Sequence, residues 1–167
     1  MPTTGLIGPF LRVALFQGLK PLQITEIARN AERMIFRSGD IITRAGEEGY
    51  AAYLIVGGKL MKYSSDSADG NTGGAHRRES AQAFEVAQGS LVSEMAMLID
   101  GHICPATIIA QGPVRAFRIS RAALHAQMLD DPDLADHFVN RIASRLRQLA
   151  DDLRQVDRAL APQCMRA

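Results

Sequence analysis

Few residues in this sequence have the type and spacing needed for chemistry, and most of them lie in one short stretch. Glu94 is followed by His102 and Cys104, a His-x-Cys pair of metal-ligand types. Zinc sites take three or four protein ligands, and no third His or Cys stands beside this pair, so we predict that it binds no metal. No nucleophile–base pair, paired catalytic carboxylates or P-loop is visible. The sequence therefore predicts a protein that is not an enzyme.

The same stretch carries no positive charge, since no Arg or Lys lies between Gly89 and Val114. Two arginines, Arg77 and Arg78, lie in a long polar loop that runs from Ser64 to Ser80. Loops of this length are usually functional or disordered. We predict a mobile hairpin tip with solvated arginines. The alternative is that the two arginines swing in to supply the absent charge.

Eight short apolar or β-branched runs are the elements that must position these residues. Turn signals such as Ser38-Gly39-Asp40 and Gly57-Gly58 separate them. Many short strands at this spacing indicate a sandwich or barrel rather than alternating βαβ units. The runs are Met34–Phe36, Ile41–Thr43, Tyr53–Val56, Leu60–Tyr63, Ala83–Val86, Leu91–Val92, Thr107–Ala110 and Val114–Ile119.

Helical signals flank the strands. The apolar segment Phe10–Phe16 ends at Gly18, and Pro21 suits the first position of a second helix that ends near Asn30. Asp131-Pro132 is typical of an N-cap followed by the first helical residue. We therefore predict a barrel domain over residues 1–131, a long C-terminal helix over 132–161 in the same structural unit, and a tail over 162–167.

The C-terminal helix carries an apolar heptad seam with spacing 4-3-4-3-4-3-4. Its length of about 43 Å exceeds what a small barrel can cover, so we predict a homodimer through this helix. The alternatives are a helix folded back onto its own domain and a higher oligomer, which Leu at the a positions with Ile or Val at two of the four d positions favours. The seam residues are Ala135, Val139, Ile142, Leu146, Leu149, Leu153, Val156 and Leu160.

The order of these pieces resembles the cyclic-nucleotide-binding domain family, which includes bacterial catabolite-activator proteins and protein kinase A regulatory subunits. Four segments carry the resemblance: Ala14–Leu19, Phe36–Ile42, Ala45–Gly49 and Tyr53–Leu60. It covers roughly residues 10–160. It implies a mainly β fold, a β-roll or double-stranded jelly-roll barrel of about eight strands, with N-terminal helices and a long C-terminal helix.

The resemblance also implies a ligand site at the phosphate-binding cassette, "G-E-x-A-L-L…R-x-A" in the family. In the family, the Glu accepts a hydrogen bond from the ribose 2′-hydroxyl, and the Arg forms an ion pair with the cyclic phosphate. Glu94 matches the Glu, Ser93 replaces the Gly, and Cys104 stands in the place of the Arg. The implied ligand-binding residues are Ser93, Glu94, Met95, Ala96, Cys104, Pro105, Ala106 and Thr107.

Loss of the cassette arginine has a large expected effect on affinity. Removing one partner of a buried charge pair costs about 2–5 kcal/mol, which weakens binding roughly 30-fold to several-thousand-fold. We therefore predict a regulatory or sensor module without a resident cofactor, which binds cAMP and cGMP weakly or binds another small molecule. We also expect Cys104→Arg to recover affinity. The alternatives are a structural or protein-interaction dimer with a vestigial pocket, and the sensor half of a transcription regulator.

Composition excludes several other classes of protein. The formal net charge of +1 provides no general attraction to nucleic acid or membrane. The longest apolar run, Tyr50–Val56, is far short of the roughly 20 residues that a membrane span needs. Two cysteines are too few for a disulfide framework. We expect a cytoplasmic protein with room for a protein partner, and no direct DNA binding by this chain, because too few residues follow Leu160 for a DNA-reading domain.

Overall fold

Eight strands and five α-helices make up residues 4–64 and 83–160, the part of the chain that the computed structural model describes. The helices are α1 (Thr4–Leu11), α2 (Pro21–Asn30), α3 (Glu94–Leu98), α4 (Arg121–Asp130) and α5 (Pro132–Leu160). The strands are β1 (Glu32–Phe36), β2 (Ile41–Thr43), β3 (Ala51–Gly57), β4 (Leu60–Ser64), β5 (Ala83–Val86), β6 (Leu91–Val92), β7 (Ala106–Ala110) and β8 (Val114–Ser120).

The strands form two antiparallel four-stranded sheets, with orders β1-β8-β3-β6 and β2-β7-β4-β5. Long-range pairing holds the first sheet together, with Glu32 of β1 opposite Arg118 of β8. The second sheet pairs Lys62 of β4 with Ile108 of β7. The predicted β-roll with flanking helices is confirmed, and each of the eight sequence runs falls on one strand.

The apolar core has two parts, one on each face of the central strands. Phe117 of β8 belongs to a cluster shared with the helices, whereas Ala116 belongs to a cluster between the two sheets. Successive side chains of a strand point to opposite faces, so β8 packs on both sides. Leu54 and Ile55 of β3 divide in the same way.

The N-terminal segment differs from the predicted helix over Phe10–Phe16. The structure has α1 ending at Leu11, an extended residue at Val13 and a single 3-10 turn over Ala14–Phe16. The break folds the chain back, so that the rings of Phe10 and Phe16 stack at 6.1 Å between centroids, both buried. Burial of both rings therefore outweighs helical continuity. The Ser64–Ser80 loop prediction lies outside the described residues, apart from Ser64.

Helix α5 is fixed to the domain at its beginning. The Leu134 N–H donates to Asp131 Oδ1 at 3.2 Å, which is the predicted N-cap. Leu134 and Phe138 are buried in the core. Further along, Arg141 donates to the carbonyl oxygens of Ala14 and Gln17 at 2.8 and 3.0 Å. The first turns of α5 are thus part of the domain.

Candidate functional site

The cassette-like residues are positioned by α3, a helix of five residues that begins two residues after β6. Ala96 and Met97 are fully buried and fix this helix against the domain. Ser93, directly before α3, has φ 57° and ψ 36°. It is the one non-glycine residue with positive φ in residues 4–64 and 83–160. Glycine adopts this left-handed conformation without steric cost, so Ser93 occupies a glycine-type turn.

A cavity of about 280 Å³ opens beside α3. Three charged side chains line it: Glu94 of α3, Lys62 of β4 and Arg145 of α5. The other lining residues, mostly apolar, are Thr43, Leu91, Val92, Ser93, Met95, His102, Pro105, Ala106 and Ile108. A small ligand in this cavity would meet apolar surface together with two cations and one carboxylate.

Glu94 and Arg145 form an ion pair at this cavity. The Glu94 side chain is 25% exposed and the Arg145 side chain 64%. Solvent-exposed ion pairs contribute about 0–1 kcal/mol, so a ligand could displace this one. Glu94 belongs to α3 and Arg145 belongs to α5, next to the seam residue Leu146. The ion pair therefore links the cassette-like helix directly to the long helix.

The sequence-predicted ligand residues divide into two groups. Ser93, Glu94, Met95, Pro105 and Ala106 line the cavity. The remaining three do not line it: Ala96 lies on the buried face of α3, Thr107 Oγ1 accepts a hydrogen bond from the Ala45 N–H at 3.0 Å, and Cys104 lines a second cavity of about 230 Å³.

Cys104 is buried and packs against the loop before β3. A Cβ atom on Gly49 would lie 2.9 Å from Cys104 Sγ and 2.6 Å from Ala96 Cβ, so only glycine fits between the cysteine and α3. Burial raises the pKa of the Cys104 thiol, and the charge of Glu47 raises it further. The thiol is therefore protonated at neutral pH. Within the described residues, no three His, Cys, Asp or Glu side chains form a group that could hold a metal ion.

Most of the α5 seam is exposed. The exposed fractions are 62% for Val139, 61% for Leu146, 52% for Leu149, 67% for Leu153 and 54% for Val156. The helix packs on its own domain through Leu134 and Phe138 instead. An apolar groove of about 370 Å³ continues this surface between α4 and α5. Its lining residues are Leu98, His125, Met128, Leu129, Ala135, Phe138, Val139 and Ile142.

The part of the chain that runs from β1 to the end of α4 matches one known family. The model of the cyclic nucleotide-binding domain matches residues 33–131, more than half of the 167 residues. This chain belongs to the cyclic nucleotide-binding domain family. The resemblance inferred from its motifs is confirmed. The match ends at Asp131, immediately before α5.

Relatives of this cyclic nucleotide-binding domain include regulators. The chain is 27% identical over 143 residues to the CRP-like cAMP-activated global transcriptional regulator of Mycobacterium tuberculosis (strain CDC 1551 / Oshkosh), covering 85% of this chain and 59% of that protein. The chain thus spans less than two thirds of this curated relative.

Two solved structures show the same fold. The sensor domain of the transcriptional regulator DNR from Pseudomonas aeruginosa has a TM-score of 0.67 and 22% identity, covering 90% of this chain and 95% of that chain. The Thermus thermophilus catabolite activator protein has a TM-score of 0.61 and 23% identity, covering 86% of this chain and 62% of that one. Among residues 4–64 and 83–160, no helix is long and apolar enough to cross a membrane.

In this cyclic nucleotide-binding domain, the cations at the cavity come from outside the cassette. Lys62 and Arg145 belong to no local motif, and sequence reasoning missed both. One signal was available for Lys62: it shares a face of β4 with Leu60, which is fully buried. A lysine on the same face as a buried residue indicates that this face becomes accessible to solvent, and Lys62 is an exposed residue. No comparable signal exists for Arg145, because only the fold brings α5 to α3.

Sequence reasoning also missed Arg121, the first residue of α4, which is only 9% exposed. Its guanidinium ties the end of α3 to the loop before β3. It donates to Ile99 O at 2.8 Å, Gly49 O at 3.3 Å and Glu48 Oε1 at 3.0 Å, and it lies 3.1 Å from Asp100 Oδ1. The hydrogen bond from Arg121 lowers the pKa of Glu48, and a second bond from the Tyr50 hydroxyl lowers it further. Arg121 therefore positions the cassette helix.

Proposed function

We propose that this domain is a non-enzymatic regulatory module in which the state of the cavity is passed to a long dimerising helix. The observation that carries this proposal is the ion pair between Glu94 and Arg145. One partner belongs to the helix that forms the cavity wall, and the other belongs to α5. A ligand that binds either side chain breaks or weakens this ion pair, which holds α5 against α3. Ligand binding is therefore linked to the position of α5.

The ligand is a cyclic nucleotide bound weakly or another small molecule. The cassette cation is replaced by Cys104, a neutral buried thiol, and therefore we expect dissociation constants for cAMP and cGMP in the high micromolar range or above. The Mycobacterium tuberculosis relative is named as cAMP-activated and as a transcriptional regulator. That name supports a regulatory role, and it is consistent with the sensor half of a transcription regulator.

The partner is a second copy of this chain, bound through α5. Leu146, Leu149, Leu153 and Val156 repeat at heptad spacing and are all more than half exposed. Burying apolar surface stabilises association by about 25 cal/mol per Å², and a continuous heptad seam gives a second helix a matching face. The groove between α4 and α5 extends this face, and α5 of the second copy fits its apolar lining.

A second candidate function is a structural or protein-interaction dimer whose pocket is vestigial. The exposed seam favours it, because a dimer formed through the seam needs no ligand in the cavity. The two functions differ in one respect: only the regulatory module needs the cavity to influence α5.

Amide hydrogen exchange of α5 in Glu94→Gln separates the two functions. Without the carboxylate, Arg145 loses its partner, and we expect faster exchange in α5 around residues 142–150. Glu85→Gln is the matched control, because Glu85 is an exposed strand carboxylate that pairs with Lys59 away from the cavity. Exchange in α5 that is the same in wild type and Glu94→Gln would contradict the regulatory module and favour the interaction protein.

A further inference from the structure

We propose that Lys62 and Arg145 together form the anion subsite of this cavity, and that its ligand is a small organic monoanion. The inference deepens the proposed function, on which it rests only for the premise that the cavity binds a ligand. The cations come from β4 and α5, two elements outside the cassette.

Lys62 lines the cavity and is an exposed residue, so a ligand can reach it from solvent. It shares a face of β4 with Leu60 and stands opposite Ile108, another residue of the cavity wall. Among the described residues, no carboxylate lies within ion-pair distance of Lys62; the ion pair on this hairpin belongs to Lys59 and Glu85. Lys62 thus brings a positive charge to the cavity that none of the neighbours described by the structure neutralises.

The charges of the wall select the class of ligand. Lys62 and Arg145 are cationic, and Glu94 neutralises only one of them, so one positive charge is left for a ligand to balance. A singly charged anion matches it, such as a phosphodiester or a carboxylate. The remaining wall is mostly apolar and the volume is about 280 Å³, which suits a small organic body rather than an inorganic ion.

Besides the hydroxyl contact that the cassette resemblance implies, Glu94 has a second role in this site through its ion pair with Arg145. A ligand anion competes with Glu94 for Arg145, since both bind the same guanidinium. Once displaced, the carboxylate is free to accept a hydrogen bond from a hydroxyl group on the ligand. For a ligand without that hydroxyl, Glu94 is only a competitor, and its removal strengthens binding.

The test is an NMR titration of the full chain with cAMP, 2′-deoxy-cAMP and adenosine as probes. We expect Lys62→Met and Arg145→Met each to weaken cAMP binding about tenfold to one hundredfold, the effect of losing a charge-assisted hydrogen bond. We also expect adenosine, which has no phosphate, to bind more weakly than cAMP by a similar factor. Glu94→Gln should tighten the binding of 2′-deoxy-cAMP.

Matched controls separate the subsite from general charge effects. Lys59→Met changes a lysine on the same hairpin, and Arg147→Met changes an exposed arginine of α5; neither lines the cavity. Both should bind cAMP as wild type does. The subsite is overturned if cAMP fails to bind, if adenosine binds as tightly as cAMP, or if Lys62→Met and Arg145→Met match their controls. None of these results changes the outcome of the hydrogen-exchange test of the regulatory module. Each of the two proposals can therefore be contradicted independently of the other.

Discussion

Ser93 holds a left-handed backbone conformation that costs a non-glycine residue about 1–2 kcal/mol. Glycine removes this cost but has more conformational freedom in the unfolded chain, which offsets about 0.5–1 kcal/mol. We therefore expect Ser93→Gly to raise the free energy of unfolding by up to about 1 kcal/mol, measured by urea denaturation. Ser90→Gly is the control, because Ser90 has no positive φ. Ser90→Gly should lower stability, and a fall in both variants would contradict the strain at Ser93.

Cys104→Arg has a different expected outcome now that the position of the side chain is known. The sequence alone predicts that arginine here recovers cyclic-nucleotide affinity. The cysteine lies against Gly49 and Ala96, outside the lining of the α3 cavity. An arginine must disturb this packing or bury a charge, so we expect a lower melting temperature and little gain in cAMP affinity.

Calorimetry of wild type and Cys104→Arg with cAMP measures the gain, and thermal unfolding measures the loss. Cys104→Ser is the control for removal of the thiol without added charge or bulk. A Cys104→Arg protein that stays as stable as wild type and binds cAMP tightly would show that the longer side chain reaches the cavity.

Among individual residues, recognition of the cassette motif identifies Glu94 but not its ion-pair partner Arg145. The Glu belongs to a local pattern of a few residues, which can be recognised without a structure. Arg145 lies 51 residues further along the chain by its numbering, and Arg121 acts through contacts with two separate loops. Such groups depend on tertiary contacts, and the spacing of residue types does not encode them.

Helix α5 has two apolar faces with different uses. Leu134 and Phe138 pack into the domain, whereas the heptad seam lies beside them and faces outward. The spacing of the seam was sufficient to predict a long helix. The spacing could not show which apolar stripe packs on the domain. Leu134 and Phe138 stand next to the seam residues Ala135 and Val139 in the sequence, and either pair fits an amphipathic helix.

Leu149→Asp tests the outward face of α5. We expect wild type to sediment as a dimer at micromolar concentration and Leu149→Asp to sediment as a monomer, because an unpaired charge in a dry seam costs several kcal/mol. Ser144→Asp is the control, since this exposed residue lies at the heptad position furthest from the seam. A wild-type protein that sediments as a monomer would contradict the seam as an interface.

Across the whole molecule, Arg121 and Glu48 connect the helices to the barrel. The pKa of Glu48 lies below its usual value of 4.5, chiefly because Arg121 donates a hydrogen bond to its carboxylate. A carboxyl group with a lowered folded-state pKa stabilises the fold fully above its unfolded pKa, and this contribution is lost as the pH falls through the folded value. Glu48 therefore favours the folded domain at neutral pH and loses this effect in acid.

We expect Glu48→Gln to be less stable than wild type at neutral pH, and the difference to shrink as the pH falls below 4.5. Thermal unfolding of both proteins over a series of pH values measures this difference. Glu47→Gln is the control, because the neighbouring Glu47 makes only an exposed pair with Arg44, which contributes about 0–1 kcal/mol. A Glu48→Gln deficit that is constant with pH would show that the carboxylate charge is not what matters.

The turn signals and the eight strand runs predict a sandwich or barrel, because each is a local pattern, and the family resemblance predicts the β-roll. The order of strands within the sheets could not be predicted from these local patterns. Glu32 pairs with Arg118 across most of the domain, and no local signal determines such a partner. The same limit explains why the second cavity, beside Cys104, was not foreseen.

Helix α5 packs on its own domain only near its beginning, so the number of residues that stay helical depends on dimerisation and therefore on protein concentration. The turns of α5 up to Phe138 belong to the folded domain, but the part beyond Arg141 has little of its own domain to cover it. Most of the stability of a helix in a protein comes from packing of its apolar face rather than from helix propensity. On dilution, the far end of α5 should therefore unwind before the barrel does, so that circular dichroism reports the concentration of the chain as well as its fold.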